Sequence, residues 1–448
     1  MNKYQPGHVD NELADDLIQK IEQKTAKVGV VGLGYVGLPL AVDKAVAGYQ
    51  VLGFDVQEKR VAMVNSGINY IGDVVDTELR DMVSAGKLRA TTDYDEIKNL
   101  DVVTVCVPTP LDKNKQPDLT FVRSSAQEVA KRLHKGMLIV LESTTYPGTT
   151  EEELKPIFEA TGLKCGSDFF LAFSPERVDP GNKQYNVKNT PKVVGGVTPT
   201  CTKVAAALYS NVLQSDVFEV SSPRVAELEK LYENTFRNVN IALANELALM
   251  CDRMGINVWE VIDAASTKPY GFMPFYPGPG LGGHCIPIDP LYLSWKAKEY
   301  DYYTKMIETS AEINDGMPEY IVDRTYRILN RFKKSINGSR ILLLGVAYKK
   351  DIDDIRESPA LRVIALLEKE GANVVYNDPY IPVCSINGKE YRSEEVTEDL
   401  LESVDLIIIT TDHSIYDYDS IVENAPFVFD TRNATRHIAQ NRDKIEVL

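Results

Sequence analysis

Three stretches of the sequence combine residue types and spacings on which chemistry can be built. The first is Gly32-Leu33-Gly34-Tyr35-Val36-Gly37, which directly follows an apolar run at 28–31 and opens a helical pattern. Each glycine has its own reason in such a turn: a tight bend, close approach of the backbone to a pyrophosphate, and close packing of helix on strand. The next apolar run, 51–55, ends in Asp55, an acid 23 residues after Gly32. A carboxylate there can bind both hydroxyls of an adenosine ribose and repels a 2′-phosphate. The expected ligand is therefore a dinucleotide, NAD rather than NADP. A glycine-rich turn made only for packing is the competing reading.

The second stretch is denser still: Gly278-Pro279-Gly280-Leu281-Gly282-Gly283-His284-Cys285-Ile286-Pro287-Ile288-Asp289-Pro290. A lone cysteine is commonly a small buried hydrophobe. Its neighbours here point to a nucleophile as well. The Gly282-Gly283 pair lets a substrate or cofactor approach the backbone, and Asp289 lies four residues after Cys285, within reach of it. His284 either lowers the thiol's pKa or is structural. The third stretch, 226–237, reads AELEKLYENTFR. Lys230 and Asn234 are four apart and share one helix face. The bland alternative is a solvated lysine in an acidic helix.

The elements that would position these groups follow from the apolar pattern. Short β-rich runs at 27–32, 50–55, 101–107, 137–142, 169–173, 193–196 and 217–220 alternate with helical patterns. This predicts a mostly parallel sheet covered on both faces. The pattern changes at Ser221-Ser222-Pro223, where Ser222 reads as a helix N-cap and Pro223 as first-turn proline. No glycine or proline interrupts the chain from there to about Met254. One helix of roughly 30 residues, ~45 Å long, is expected. A helix of that length bridges domains or joins subunits. Residues 268–281 hold four prolines among glycines and read as a loop. Strands are then expected at 340–346, 373–377, 405–410 and 427–430, with a helix over 359–370. The fold class is α/β: two Rossmann-like doubly wound domains joined by a long central helix.

Composition narrows the function classes. The 448 residues suffice for two or three domains, and 44% hydrophobic with 25% charged residues excludes a disordered chain or a disulfide-stapled mini-protein. The formal charge is −16, with no long basic run to offset it, which argues against nucleic-acid or anionic-membrane partners. Six cysteines are scattered singly without zinc-ligand spacing, so no metal is expected. The N-terminus lacks the pattern of a signal peptide and no apolar run approaches a membrane span. The expected compartment is the cytosol.

Seven motifs occur in family order: GLGYVGLP from 32, CVPTP at 106–110, ESTTYPGT at 142–149, SPERVDPG at 174–181, AELEKLYENTFRN at 226–238, GPGLGGHCIPIDP at 278–290 and GVAYKKDIDDIRESPA at 345–360. On these the chain resembles the UDP-glucose/UDP-N-acetylhexosamine 6-dehydrogenase family from residue 27 to the C-terminus. The resemblance implies oxidation of the C6 alcohol of a nucleotide sugar to a carboxylate with two NAD. It implies Cys285 as the nucleophilic thiol, Lys230 and Asn234 as the active-site pair, and Asp289 as the acid after the cysteine. Glu176 is implied as the acid serving thioester hydrolysis, and Thr144 as the threonine that orients water. The implied cofactor set is Gly32, Gly34, Tyr35, Val36, Gly37, Asp55, Arg60, Pro108, Thr109, Thr144 and Arg356. The implied substrate set is Glu176, Arg177, Val178, Lys230, Asn234, Arg237, Phe275, Tyr276, Gly282, Tyr348 and Lys349.

Within the family, the UDP-glucose branch often has Lys before the acid that follows the cysteine; here Ile288 stands there. The strings PFYPGPGLGGHCIPIDPLYL and NTFRNVNIALANELA resemble the branch that oxidises UDP-N-acetylglucosamine, in which Arg237 becomes a candidate reader of the 2-substituent. That substrate is expected, with UDP-glucose or UDP-N-acetylmannosamine as alternatives. A two-electron hydroxyacid-type dehydrogenase, yielding one NADH per substrate instead of two, and a binding protein without turnover are further alternatives. The implied organisation is an extension at 1–26, an NAD-binding domain at 27–220, a central helical dimerisation domain at 221–330 and a UDP-sugar domain at 331–448. A homodimer packed through the long helix is expected.

Overall fold

A computed structural model of the chain describes residues 2–3, 11–72, 74–179, 182 and 184–448. It forms two compact units, Met1–Glu233 with Trp295–Asp301, and Asn234–Ser294 with Tyr302–Leu448.

Among the described residues the first unit is built on nine strands: β1 (Asn2–Lys3), β2 (Lys27–Val31), β3 (Gln50–Phe54), β4 (Leu88–Thr91), β5 (Val102–Val105), β6 (Leu138–Leu141), β7 (Phe170–Phe173), β8 (Lys192–Gly196) and β9 (Val217–Glu219). Their order across the sheet is β1-β9-β8-β7-β6-β5-β2-β3-β4. Strands β2 to β7 pair in parallel, while β8 runs antiparallel to β7. Strands β5, β6 and β7 are buried at every position, as expected of parallel strands covered on both faces. The chain leaves β2 for β3 on one side and later returns to β5 on the other. That reversal opens a crevice beyond the C-terminal ends of β2 and β5, where ligands bind in doubly wound sheets.

In the sequence the charged 1–26 extension reads as helical. A helix does run over Glu12–Glu22, with the Asn11 side chain accepting from the Ala14 N–H at 3.1 Å. Lys3 and Asn2 add an antiparallel edge strand on β9, and residues 1 and 4–10 lie outside the described residues. The first unit also takes back a later piece of chain. The Trp295 ring lies 5.0 Å from the Tyr146 ring, and the buried Lys296 ammonium is 2.8 Å from Glu152.

The second unit carries a parallel five-stranded sheet in the order β11-β10-β14-β15-β16, formed by β10 (Arg340–Leu344), β11 (Asn373–Asn377), β14 (Leu406–Ile409), β15 (Val428–Asp430) and β16 (Ile445–Val447). Two short strands unforeseen in the sequence, β12 (Val383–Ile386) and β13 (Lys389–Arg392), form a hairpin. Its turn is Asn387-Gly388, both at positive φ (51° and 81°), the backbone that a two-residue hairpin loop requires. The helix Pro223–Met254 is 32 residues long and continuous, as expected from its lack of glycine and proline. Its residues to Glu233 belong to the first unit and those from Asn234 to the second. Among the described residues no helix is long and apolar enough to cross a membrane.

Candidate active site

At the end of β2 the chain turns through Gly32 at φ +90°, and the Gly32 N–H donates to the Phe54 carbonyl at 2.8 Å. A Cβ on Gly32 would lie 2.6 Å from the Cys106 carbonyl oxygen, and one on Gly37 only 1.8 Å from that of Gly32. Over Gly34 there is open space. The three glycines thus separate into a turn, an open approach and a close packing contact. The following helix, Gly37–Val46, starts at Val36 with no side chain capping it; the Leu38 N–H donates to the Gly34 carbonyl at 3.1 Å, and the uncapped start faces where an anion can bind. Asp55 is buried beside this turn; its carboxylate accepts from the Leu33 N–H at 3.1 Å and the Gln57 N–H at 2.9 Å, with Arg60 at 3.4 Å. The Tyr70 hydroxyl donates to the Leu33 carbonyl at 2.8 Å, a brace the sequence reading missed. Tyr35 is exposed, Pro108 exposed and Thr109 buried just beyond β5, and Thr144 half-buried beyond β6. This crevice fits NAD: an open glycine, an uncapped helix start and a fixed carboxylate at the ribose position.

A buried chain of charges runs under the same edge of the sheet. Glu142, at the end of β6, lies 3.3 Å from the Lys44 ammonium and 3.0 Å from that of Lys192, and the Tyr209 hydroxyl donates to it at 2.7 Å. Lys192 also reaches Glu176 at 3.2 Å. The other oxygen of Glu176 accepts from the Arg177 and Val178 N–H groups at 2.8 and 2.9 Å. Burial opposes the charge of Glu142, but Lys192 and Lys44 bring its carboxyl below the usual range. Arg177, expected at the substrate, is anchored on the long helix by Glu233 and by Glu229 at 3.3 Å, and donates to the Pro191 carbonyl. Burial and the neighbouring Glu233 push Glu229 up to about 8. Lys230, between these acids in sequence, is buried rather than solvated.

In the second unit the thiol sits on a tight turn. The N–H groups of Ile288 and Asp289 both donate to the Cys285 carbonyl, at 3.1 and 2.8 Å, and Cys285 is half-buried and in no disulfide. Asp289 is buried, and the Asn234 amide donates to its carboxylate at 2.6 Å. One turn further along the helix, Asn238 donates to the Ile286 carbonyl at 3.0 Å. Asn245 accepts from the Gly278 N–H at 3.0 Å and donates to Asn314 at 2.9 Å. Asn234, Asn238 and Asn245 share a helix face and fasten the glycine-rich loop at Asp289, Ile286 and Gly278 respectively. Sequence reasoning picked out the first alone, although the spacing of four and seven residues was there to be used.

The approach permitted by the Gly282-Gly283 pair is made by Tyr348: Cβ atoms on these glycines would lie 2.5 and 2.8 Å from it. Tyr348 and Lys349 follow β10 in a loop whose Tyr348 N–H donates to the Asp354 carbonyl at 3.0 Å. The Arg356 guanidinium is paired with the Asp354 carboxylate at 2.7 Å. Burial and the Arg356 charge hold His284 below its ordinary value. The Phe275 ring meets Phe236 edge-on at 5.7 Å, Tyr276 stacks on Trp259 at 5.8 Å, and Arg237 is exposed.

The second sheet repeats the first turn in altered form. Gly345, at φ +85°, donates to the Asn377 carbonyl at 2.8 Å, as Gly32 does to Phe54. Asp378 stands where Asp55 stands and accepts from the Val346 and Ala347 N–H groups at 2.7 and 2.8 Å. Here the acid is closed off, with the buried His413 imidazole 3.0 Å from it. No signal in the sequence reading pointed to this pair.

Residues 26–213 match the NAD binding domain of the UDP-glucose/GDP-mannose dehydrogenase family, residues 224–316 its central domain and residues 342–437 its UDP binding domain. The chain belongs to this family. It is therefore an NAD-dependent oxidoreductase with a UDP-binding domain, and the expected Rossmann architecture and cofactor hold. Among its relatives in the family is a UDP-N-acetyl-D-glucosamine 6-dehydrogenase of Pseudomonas aeruginosa, 40% identical over 80% of this chain and 84% of the relative. A UDP-N-acetyl-D-mannosamine dehydrogenase of Pyrococcus horikoshii is 36% identical over 86% of this chain and 89% of its own. The solved structure of a UDP-D-ManNAc dehydrogenase from Pyrococcus horikoshii superposes with a TM-score of 0.84 at 34% identity, covering 91% of this chain and 96% of that one.

Proposed function

We propose that this family member oxidises C6 of UDP-N-acetylglucosamine to the carboxylate in two two-electron steps, through a thiohemiacetal and a thioester on Cys285. The observation that carries the reading is the thiol turn. Cys285 begins it, Asp289 ends it as a buried carboxylate, and Asn234 holds that carboxylate. When bound, NAD takes up one hydride in each oxidation of C6. Cys285 adds as the thiolate to the C6 aldehyde and keeps it from escaping between the two. The Lys230 ammonium and the Asn234 amide stabilise the oxyanions that form at C6. Asp289 positions Lys230 or water, and Glu176, with Thr144, delivers the water that cleaves the thioester. Of the remaining groups, Tyr348, Lys349, Phe275, Tyr276, Gly282, Arg177 and Val178 are assigned to the UDP-sugar, Arg237 to its 2-substituent, and Arg60, Pro108, Thr109 and Arg356 to the cofactor.

Residues 27–220 are assigned to NAD, 221–330 to dimerisation, 331–448 to the UDP-sugar and 1–26 to an extension. The dimer reading is supported by the long helix, where Phe236, Leu243 and Met250 recur every seven residues and are exposed. The site of action is the cytosol, where thiols stay reduced. The choice of sugar rests on the branch-specific strings around Cys285 and Asn234. UDP-N-acetylmannosamine is the second reading, favoured by the relatives that carry that name. Incubation with NAD and a panel of UDP-sugars, read by product mass and NADH yield, tests both. The expected result is uronate from UDP-N-acetylglucosamine with two NADH per sugar. Preferential oxidation of the manno epimer would transfer the assignment, and one NADH per sugar would remove the four-electron reading.

A further inference from the structure

The charge chain in the first unit contains one residue that touches both a structural and a functional carboxylate. Side-chain exposure along it rises from 0% at Lys44 and Glu142 to 5% at Lys192 and 16% at Glu176. Glu176 is thus the one of the four that opens towards solvent. Three donors fix it: two consecutive backbone N–H groups on one oxygen, and the Lys192 ammonium on the other. Lys192 is itself held by Glu142, which is fixed in turn by Lys44 and Tyr209. Lys192 cannot swing away without breaking its pairs with Glu142 and Glu176, and Glu176 cannot rotate without abandoning Lys192. A carboxylate that must take a proton from water along one lone pair needs this kind of rigid support.

We propose that Lys192 is a positioning residue for thioester hydrolysis, aiming the Glu176 carboxylate at the attacking water. This rests on the assignment of Glu176 to that water. In the step concerned, water gives one proton to Glu176 as its oxygen bonds to the acyl carbon. The tetrahedral intermediate then expels Cys285 as the thiolate. The product leaves as the carboxylate once its proton is lost, and Glu176 and Cys285 exchange their proton with solvent. Both hydride transfers precede this step, so a defect in Lys192 spares them.

The experiment compares Lys192→Met, Lys192→Arg and Glu176→Gln with the wild-type full chain, using rapid mixing with NAD and the UDP-sugar that the wild type oxidises. In Lys192→Met a burst of two NADH per active site should survive at close to the normal rate. Steady-state turnover should fall by roughly tenfold to a hundredfold, part of what a general base contributes. The acyl-enzyme should accumulate and appear in the intact mass, as in Glu176→Gln. Lys192→Arg, which keeps the cation, should restore turnover to within a few-fold. Normal turnover in Lys192→Met, or a burst slowed as much as turnover with no adduct, overturns the proposal. An adduct in Glu176→Gln but not in Lys192→Met overturns it alone; an adduct in neither overturns the Glu176 assignment as well. If Lys192→Met does not fold, Lys192→Met/Glu142→Gln removes one charge of each sign, and the same readouts decide.

Discussion

The turn that carries Cys285 closes on its own carbonyl, which accepts from the Ile288 and Asp289 N–H groups. Cys285→Ser keeps that turn and the size of the side chain while weakening the nucleophile. NAD and UDP-sugar should bind to it nearly normally, and its steady-state rate should fall by orders of magnitude. An oxygen ester, slower to hydrolyse than a thioester, should then be visible in the intact mass. Full activity with two NADH per sugar in this variant would mean another nucleophile. Asp55 permits a second test, because its carboxylate is fixed by backbone donors and Arg60 beside the open glycine. Like charges at about 4 Å repel by ~1–4 kcal/mol, so Asp55→Asn should narrow the NAD-over-NADP ratio of kcat/KM by roughly tenfold or more. An unchanged ratio would show that the 2′-phosphate is excluded by something else.

Glu227, in the first turns of the long helix, staples that helix to the wide helical turn after Gly148. Its carboxylate accepts from the Gly148 N–H at 2.6 Å and from the Thr150 N–H and hydroxyl at 2.9 and 2.7 Å. Burial outweighs these donors and pushes Glu227 up to about 7, against an ordinary value of 4.5. The folded state therefore keeps a proton that the unfolded chain gives up. This contribution to stability is fully present below pH 4.5 and is lost as pH rises through about 7. It amounts to on the order of 3 kcal/mol. Glu227→Gln, which does not titrate, should flatten the fall of stability between those pH values in denaturant titrations; an unchanged slope would place the proton elsewhere. The same acid shows how the sequence could and could not be read. Lys230 and Asn234 were legible as one helix face, and Gly32, Gly34, Gly37 and Asp55 as one turn, because helix and turn geometry are local; Glu227, in the same stretch, was not singled out. The hairpin at Asn387-Gly388 had its local signal too, and was passed over. Lys44, Glu142, Lys192 and Glu176 come from four separate elements and meet only once β6, β7 and β8 lie side by side, so no spacing announces them.

At the scale of the whole molecule, the exposed stripe on the long helix sets the expectation for assembly. Leu243 is 62% exposed and stands between Phe236 and Met250 at seven-residue spacing. Leu243→Glu puts a charge into the middle of that stripe. It should convert a dimer to monomer in sedimentation without altering the melting of either unit's core, whereas a wild type already monomeric across a wide dilution range would remove the dimer reading. The first unit has a further property, set by the order in which the chain is made. Its edge strand β1 has to wait for β9, whose pairing residues are Phe218 and Glu219. At ribosomal rates that wait is on the order of 10–40 s. Even then the unit is unfinished, because Trp295 and Lys296 have yet to arrive against Tyr146 and Glu152. A nascent chain halted after Glu233 would therefore present to chaperones a Tyr146 ring without Trp295 and a Glu152 paired with Arg224 but not yet with Lys296, and the two units cannot be separated by a single cut between them.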